Sequence, residues 1–160
     1  MSDTITFKFV HDLPLINTMV FEDEYSETIK LDLECKVSLK NHGAEFIYLV
    51  NNDNGELIGE TYFISVDAIK ENLGISNWEN TKTVYVYSTT ILTKYQGRKY
   101  SKILKAYSLG YMKSKYDGVL GHARNGASIS LNKEFGAVVL KEEQNWQETT
   151  ENYFLYYLKF

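Results

Sequence analysis

Basic residues gather around a single glycine in the second half of the chain. Five of them lie close together with no acid among them: Lys94, Arg98, Lys99, Lys102 and Lys105. A strand-like apolar pattern ends just before this stretch, and a helical pattern begins inside it. The first amides of a helix have no intrahelical partner and carry the positive end of the helix dipole. Together with Gly97, which allows close backbone approach, they predict a binding site for a phosphate-bearing ligand.

The flanking residues predict the elements that must hold this turn. A strand over 83–92 enters it, and a helix over 99–113, apolar on one face, leaves it. The other predicted strands cover 5–9, 29–39, 45–50, 57–64, 116–123, 137–141 and 153–160, and the other predicted helices follow Pro14 and cover 66–73 and 125–135. An Asn-Gly pair at Asn54 and Gly55 predicts a hairpin between two of these strands. This order predicts an α/β fold in which helices cover a mixed sheet.

The most regular alternation in the chain runs from Ile29 to Leu39, where apolar residues alternate with charged and polar ones. A period of two is typical of a half-buried strand. The pattern therefore predicts that Cys35 is a small buried apolar residue rather than a reactive thiol.

Length and composition exclude several classes of protein. The 160 residues, with one proline, one cysteine and a net charge of −4, predict a single domain over 1–160. A lone cysteine forms no intrachain disulfide, and no cysteine–histidine cluster has the spacing of a zinc site. No apolar run approaches the roughly 18 residues of a membrane span, and the polar start is unlike a signal peptide, so we expect a cytoplasmic protein. The negative net charge argues against nucleic acid and favours a small anionic ligand.

Two segments resemble the GNAT superfamily of acyl-CoA-dependent N-acetyltransferases. The run Tyr-Gln-Gly-Arg-Lys-Tyr-Ser at 95–101 is similar to the family's acetyl-CoA signature, Gln/Arg-x-x-Gly-x-Gly/Ala, whose amides cradle the CoA pyrophosphate. The run at 125–137 is similar to the family's Asn-x-x-Ala/Ser-x-x-Leu-Tyr segment, in which the Asn contacts pantetheine. The chain departs from the pattern where Lys99 and Ser101 replace the two signature glycines. A third departure is Asn132, which replaces the tyrosine that many members use to protonate the leaving thiolate.

The resemblance implies a fold, a reaction and a co-substrate. The fold is three-layered, with a central mixed and mostly antiparallel twisted sheet flanked by helices. The reaction is the transfer of an acetyl or other acyl group from acyl-CoA to an amine by direct attack, without a metal. The residues implied to bind the cofactor are Ile91, Leu92, Thr93, Gln96, Gly97, Arg98, Lys99, Tyr100, Ser101, Lys102, Asn125 and Ser128.

Acyl transfer also needs an oxyanion donor, a base and a proton for the thiolate. The resemblance implies that a backbone amide near Leu92 is the donor. The best candidate base is His122, at the predicted end of the strand over 116–123, although a capping role fits the same position. Tyr95 and Tyr87 are candidate acids, and packing on the sheet is the alternative for both.

The acceptor is predicted to be a small-molecule or protein amine. In the GNAT fold the segment after the first strand overhangs the acceptor pocket. The acidic run Glu22, Asp23 and Glu24 falls there and would attract a cationic amine, unless it is only a solvated loop.

Two further functions stay open at this point. The first is a synthase-like relative that makes N-acyl amino acids or lactones from longer acyl donors. The second is a GNAT-like module that has lost turnover and forms a homodimer through the tyrosine-rich last strand, Tyr153 to Tyr157.

Overall fold

Strands and helices alternate along the chain in a computed structural model that describes residues 5–25, 29–124, 126–144, 146 and 151–160. The strands are β1 (Phe7–Val10), β2 (Glu45–Asn51), β3 (Leu57–Ser65), β4 (Thr83–Ile91), β5 (Gly118–Arg124), β6 (Val138–Glu143) and β7 (Tyr153–Lys159). The α-helices are α1 (Leu33–Asn41), α2 (Val66–Ile69), α3 (Tyr100–Lys113) and α4 (Ala127–Glu134), and 3-10 helices span Leu15–Glu24 and Thr93–Tyr95. Over the same ranges, no helix has the length and apolarity needed to cross a membrane.

The strands form one sheet in the order β1-β2-β3-β4-β5-β7-β6. Neighbouring strands are antiparallel except for β4 and β5, which are parallel. The predicted mixed, mostly antiparallel sheet is therefore confirmed. The hairpin at Gly55 is also confirmed, because this glycine takes a φ of +72° between β2 and β3, a conformation that glycine adopts without strain.

Helices cover both sides of the sheet. On one side, which we call the α3 face, residues of α3 and α4 such as Leu104, Met112 and Ile129 share a cluster with the sheet. On the other, which we call the α1 face, Phe21 of the first 3-10 helix and Ile69 of α2 pack on the sheet, and α1 lies beside them. The predicted three-layer arrangement is confirmed.

The prediction of a strand over 29–39 is wrong, because this segment contains α1. The Asp32 carboxylate accepts a hydrogen bond of 2.7 Å from the Cys35 amide and caps the helix. The helix buries Lys36, which a strand would have placed on its polar side, and leaves Cys35 exposed. The helix is attached both by the buried ion pairs of Lys36 and by Leu33 and Leu39, which pack against the core.

The last strand is not a sheet edge. β7 lies between β5 and β6 and pairs with both, and Tyr156 is only 2% exposed. The predicted homodimer through Tyr153–Tyr157 is therefore wrong in its proposed surface, because the backbone groups of this strand are already paired. The helix predicted over 66–73 is also shorter than expected, since α2 ends at Ile69.

Candidate active site

The parallel strands β4 and β5 separate partway along their length. Their pairing begins at Thr83 and Gly118 and ends at Val86 and Gly121, although both strands continue beyond that point. We call the gap that opens beyond Val86 and Gly121 the fork. Along both strands at the fork, side chains point alternately to the α3 face and to the α1 face.

A bulge at Tyr87 changes the direction of the second half of β4, from Ser88 onward. The register with β3 shifts there, because Tyr62 pairs with Ser88 whereas Phe63 pairs with Val86. Such bulges are common near functional sites because they redirect the strand. The extra residue, Tyr87, remains 36% exposed on the α1 face of the fork.

The oxyanion donor predicted near Leu92 is not the amide of Leu92 itself. The Leu92 amide donates to the Ile58 carbonyl of β3 at 3.0 Å, so it points away from the fork. Amides alternate in direction along a strand. Those of Ile91 and Thr89 therefore face the fork, and they replace Leu92 as candidate oxyanion donors.

The turn after β4 opens onto the N-terminus of α3, as the sequence predicts. We call residues 96–102 the anion cradle; all of them except Tyr100 are exposed. The Gln96 side chain donates to the Ile91 carbonyl at 2.9 Å and ties the cradle to the end of β4. Gly97 has a φ of +79°, and among the described residues no side chain caps α3. The first amides of α3 are therefore available to an anion.

Lys99 has a left-handed backbone conformation, which glycine adopts more readily than any other residue. Its φ and ψ are 67° and 12°, in the left-handed region, and it is the one non-glycine residue with positive φ in the described part of the chain. Lysine adopts this region at a cost of about 1–2 kcal/mol. The loop therefore has a strained residue at the start of α3, where glycine would carry no strain.

Replacing Lys99 by glycine is expected to raise the free energy of unfolding by about 0.5–1 kcal/mol. The relief of backbone strain outweighs the additional conformational entropy that glycine loses on folding. Lys102→Gly, three residues further into the same helix, is the control and is expected to lower stability by about 1 kcal/mol. Urea denaturation of both variants measures the difference. Equal destabilisation by the two glycines would mean that Lys99 is not strained.

The other residues predicted to bind the cofactor differ in what they can offer. Arg98 and Ser101 are exposed, and Lys102 lies 3.8 Å from Glu134 of α4. Tyr100 is buried against Phe7 and Tyr95, so only its backbone can contact a ligand. Ser128 is exposed in the first turn of α4, whereas Asn125 lies outside the described residues.

His122 lies on the α1 side of the fork in an aromatic environment. Its Nδ1 is 2.7 Å from the Tyr85 hydroxyl, and its ring stacks on Trp146 with 3.7 Å between centroids. Its Nε2 is buried and has no hydrogen-bond partner among the described residues. Burial, followed by the charge of Lys141, lowers the pKa of His122 to about 4, so the imidazole is neutral near pH 7. The unprotonated imidazole is available as a proton acceptor at neutral pH, and its lowered pKa makes it a weaker base than an exposed histidine.

Tyr95 is not placed to act with His122. It is 3% exposed, and Asn51 of β2 donates to its hydroxyl at 3.5 Å, on the side of β4 away from β5. Its catalytic assignment is therefore replaced by a packing role. Tyr87, by contrast, is 5.5 Å from the Tyr85 ring and lies with His122 on the same face of the fork.

The acidic run does not form one cationic-substrate patch. Glu22 is buried and faces Lys36 at 3.0 Å, whereas Asp23 is exposed near Lys30. Glu24 accepts hydrogen bonds from the amide and hydroxyl of Thr93 at the end of β4. The three carboxylates diverge because a 3-10 helix turns by a third of a circle per residue. The predicted shared role in attracting an amine is therefore wrong for Glu22.

Sequence reasoning missed Tyr25, which follows the same 3-10 helix. Its hydroxyl contacts the side chains of Ser88 and Thr90, in the half of β4 that no longer pairs with β5. Burial raises the pKa of Tyr25, so the hydroxyl keeps its proton at neutral pH. A short loop after a predicted helix carries no pattern that could have identified this contact. Within the described residues, no group of three or more His, Cys, Asp or Glu is placed to hold a metal ion.

No protein-family model matches the chain, and no curated protein matches it. Solved structures do match in three dimensions. The ribosomal-protein-S18-alanine N-acetyltransferase of Escherichia coli is 10% identical with a TM-score of 0.73, and the match covers 96% of this chain and 94% of that one. Arabidopsis thaliana NAA60 in complex with acetyl-CoA is 17% identical with a TM-score of 0.73, over 96% and 98% of the two chains. The GNAT-like decarboxylase GphF in complex with isobutyryl-CoA is 12% identical with a TM-score of 0.72, over 95% and 98%.

The chain is a three-layer α/β protein. The pairing between its two parallel central strands ends partway along the mixed sheet, and the N-terminus of α3 follows the end of β4. The chain has the GNAT fold over nearly its whole length. The resemblance read from its two short motifs is thereby confirmed at the level of the fold.

Proposed function

We propose that this protein is an acyl-CoA-dependent N-acyltransferase that transfers an acetyl group to an amine within a ternary complex. The observation that carries the proposal is the left-handed backbone at Lys99. A lysine holds a strained conformation that glycine would adopt freely, at the position where the resembled motif has a glycine, and this supports a phosphate-binding turn. Exposed Arg98 and Lys99 add positive charge for the phosphates. The cytoplasmic location expected from the sequence is part of this proposal.

In this proposal acyl-CoA binds from the α3 face and the amine arrives from the α1 face. The amides of Ile91 and Thr89 face the fork, where they would stabilise the oxyanion that forms on the thioester carbonyl. Holding both substrates in the fork supplies much of the rate. Similarity to folds that bind acetyl-CoA and isobutyryl-CoA supports an acyl-CoA ligand.

His122 is the proposed base for the attacking amine. This role requires the tautomer in which Nδ1–H donates to the Tyr85 oxygen, because that leaves the lone pair on Nε2. The hydrogen bond at 2.7 Å fixes the orientation of the ring, and Trp146 holds its plane. Tyr85 is therefore a positioning residue for His122.

Release of free CoA thiol from acetyl-CoA, measured with a thiol reagent, tests the reaction. The amines to compare are a polyamine, an aminoglycoside, peptides with free N-termini and peptides carrying lysine. Amine-dependent thiol release is the expected result. Thiol release that no amine accelerates, in protein that binds acetyl-CoA, would contradict transferase activity for these acceptors.

Gln96→Ala combined with Arg98→Glu is expected to weaken acetyl-CoA binding about 100-fold or more. The first change releases the cradle from Ile91, and the second places a negative charge among the phosphates. Calorimetric titration measures the affinity, and circular dichroism verifies the fold. Lys113→Glu, a charge reversal at the far end of α3, is the control. Unchanged affinity in the double variant would exclude the cradle as the phosphate site.

A further inference from the structure

The α3 face of the fork contains a buried lysine. Lys105 of α3 is 3% exposed, and no described carboxylate lies within ion-pair distance of it. Its ammonium donates to the Tyr156 hydroxyl at 3.3 Å and lies 5.5 Å from the centre of that ring. Lysine is almost never fully buried unless it is paired with a charge. The proposed roles of the anion cradle and of His122 leave this pair unused.

Tyr156 covers the point where the fork opens. It pairs across β7 and β5 with Gly121, the last residue of β5 that pairs with β4. A Cβ atom on Gly121 would lie 2.5 Å from the Tyr156 hydroxyl oxygen, so the hydroxyl sits directly over this glycine. The close approach explains why the position needs a glycine.

The pair lies on the side of the sheet from which acyl-CoA is proposed to enter. Tyr156 belongs to the apolar cluster that α3 and α4 share with the sheet. His122 follows Gly121 directly and, because side chains alternate along a strand, points to the other face. Lys105 lies five residues after Tyr100, the first residue of α3, which is about 7–8 Å along the helix axis. The pair therefore lies along the route from the phosphates to the fork.

We propose that the Tyr156 hydroxyl protonates the CoA thiolate as it leaves, and that Lys105 positions this hydroxyl and replaces its proton. The inference rests on the proposed function. The amine nitrogen forms a bond to the acyl carbon, and the carbon–sulfur bond breaks with its electron pair on sulfur. The sulfur takes the hydroxyl proton, the resulting phenolate takes one from the Lys105 ammonium, and the lysine amine is reprotonated from solvent, to which His122 later releases the proton of the amine. His122 receives the proton of the amine on the opposite face.

The electrostatics of the two groups are consistent with this sequence of transfers. Burial lowers the pKa of Lys105 to about 8, close to the value of about 8.5 for a thiol. Proton transfer is efficient between groups of similar pKa. Burial raises the pKa of Tyr156, so the hydroxyl passes on a proton rather than remaining ionised. Among the described residues, Tyr156 is the titratable group that contacts Lys105.

This arrangement supplies the acid that Asn132 cannot provide. The Asn132 amide donates to the Ser128 carbonyl of its own helix at 2.9 Å, and an amide has no proton to give to a thiolate. Tyr156 comes from β7 instead of α4, so its role could not be read from the family motif.

The experiment measures the ionisation of the thiol in bound CoA by its thiolate absorbance, with the desulfo-CoA complex subtracted to remove tyrosine signals. In the wild-type protein the bound thiol is expected to ionise at a lower pH than free CoA, since the ammonium and the hydroxyl stabilise the thiolate. Lys105→Met and Tyr156→Phe keep most of the packing. Each variant is expected to raise the pKa of the bound thiol by at least about one pH unit.

Two matched variants serve as controls. Lys113→Met changes an exposed lysine at the far end of the same helix, and Tyr157→Phe changes the next tyrosine of β7, which faces Trp78 on the other side of the sheet. Both are expected to titrate like the wild type. Where turnover is measurable, the rate is expected to fall above about pH 8 as Lys105 loses its proton, and Lys105→Met is expected to lose this dependence.

The outcomes distinguish this inference from the proposed function. CoA that binds every variant but ionises identically in all of them would overturn the role of the pair and leave the acyl-CoA site intact. Absence of CoA binding to the wild-type protein would overturn both. A shift confined to Lys105→Met and Tyr156→Phe would support the inference.

Discussion

His122→Gln is expected to lower kcat for acyl transfer by about 100-fold or more while leaving the affinity for acetyl-CoA unchanged. General base catalysis contributes about 10²–10⁴-fold, and glutamine keeps the polarity of the site without a proton-accepting nitrogen. His42→Gln, at an exposed histidine that follows α1, is the control. A variant with a kcat within about twofold of the wild type would leave His122 a purely structural role.

The pH dependence of the same reaction gives an independent test. Burial lowers the pKa of His122 to about 4, so the neutral, proton-accepting form predominates above that value. The rate is therefore expected to lose its base only as the pH falls through about 4, not through the usual value of about 6.5. Tyr85→Phe removes the partner of Nδ1 and is expected to change the kcat rather than KM.

Lys36→Met is expected to lower the free energy of unfolding by about 3–5 kcal/mol. The Lys36 ammonium lies 3.0 Å from Glu22 and 3.0 Å from Glu60, and all three side chains are at most 1% exposed. Removing the cation leaves two carboxylates buried without a partner. Urea denaturation measures the loss, and Lys40→Met, at an exposed position on the same helix, is the control.

The size of this loss is expected to depend on pH. Burial raises the pKa of Glu60 to about 7, with Lys36 opposing the shift. Below that value the carboxyl is protonated in the folded protein and is less costly to bury. The destabilisation by Lys36→Met is therefore expected to be greater at pH 8 than at pH 5. A loss equal to that of Lys40→Met would mean that the buried triad of Glu22, Lys36 and Glu60 contributes no net stability.

The triad also holds together the elements that cover the α1 face beside the fork. Glu22 belongs to the first 3-10 helix, Lys36 to α1 and Glu60 to β3, so one buried cation joins three elements. Glu22 further accepts from the Leu31 amide at 2.8 Å. Tyr25, three residues after Glu22, is thereby held against β4.

Most of the sheet could be predicted from the sequence because its strands have apolar faces and its turns have distinctive residues. The strand predicted over 83–92 and the helix over 99–113 agree with β4 and α3 to within a residue or so at each end. The cradle was predictable for the same reason, since it lies between two regular elements. The fork was not, because the end of pairing between two strands leaves no local signal.

The failures have a common physical cause. The pattern at 29–39 predicts a strand in which Lys36 faces solvent, whereas burial with Glu22 and Glu60 places it inward. The sequence predicts a dimer surface that includes Tyr156, whereas Lys105 and Gly121 place its hydroxyl at the fork. Contacts between residues far apart in sequence, and polar ones above all, determine these positions.

Calorimetric titration of the wild-type protein with acetyl-CoA tests the central claim most directly, with desulfo-CoA and longer acyl-CoAs as comparisons. We predict a single site with a dissociation constant in the micromolar range, which the left-handed turn at Lys99 makes possible. Tighter binding of an acyl-CoA with a longer acyl group would change the proposed acyl donor but keep the proposed site. No detectable binding at millimolar acetyl-CoA would contradict the account.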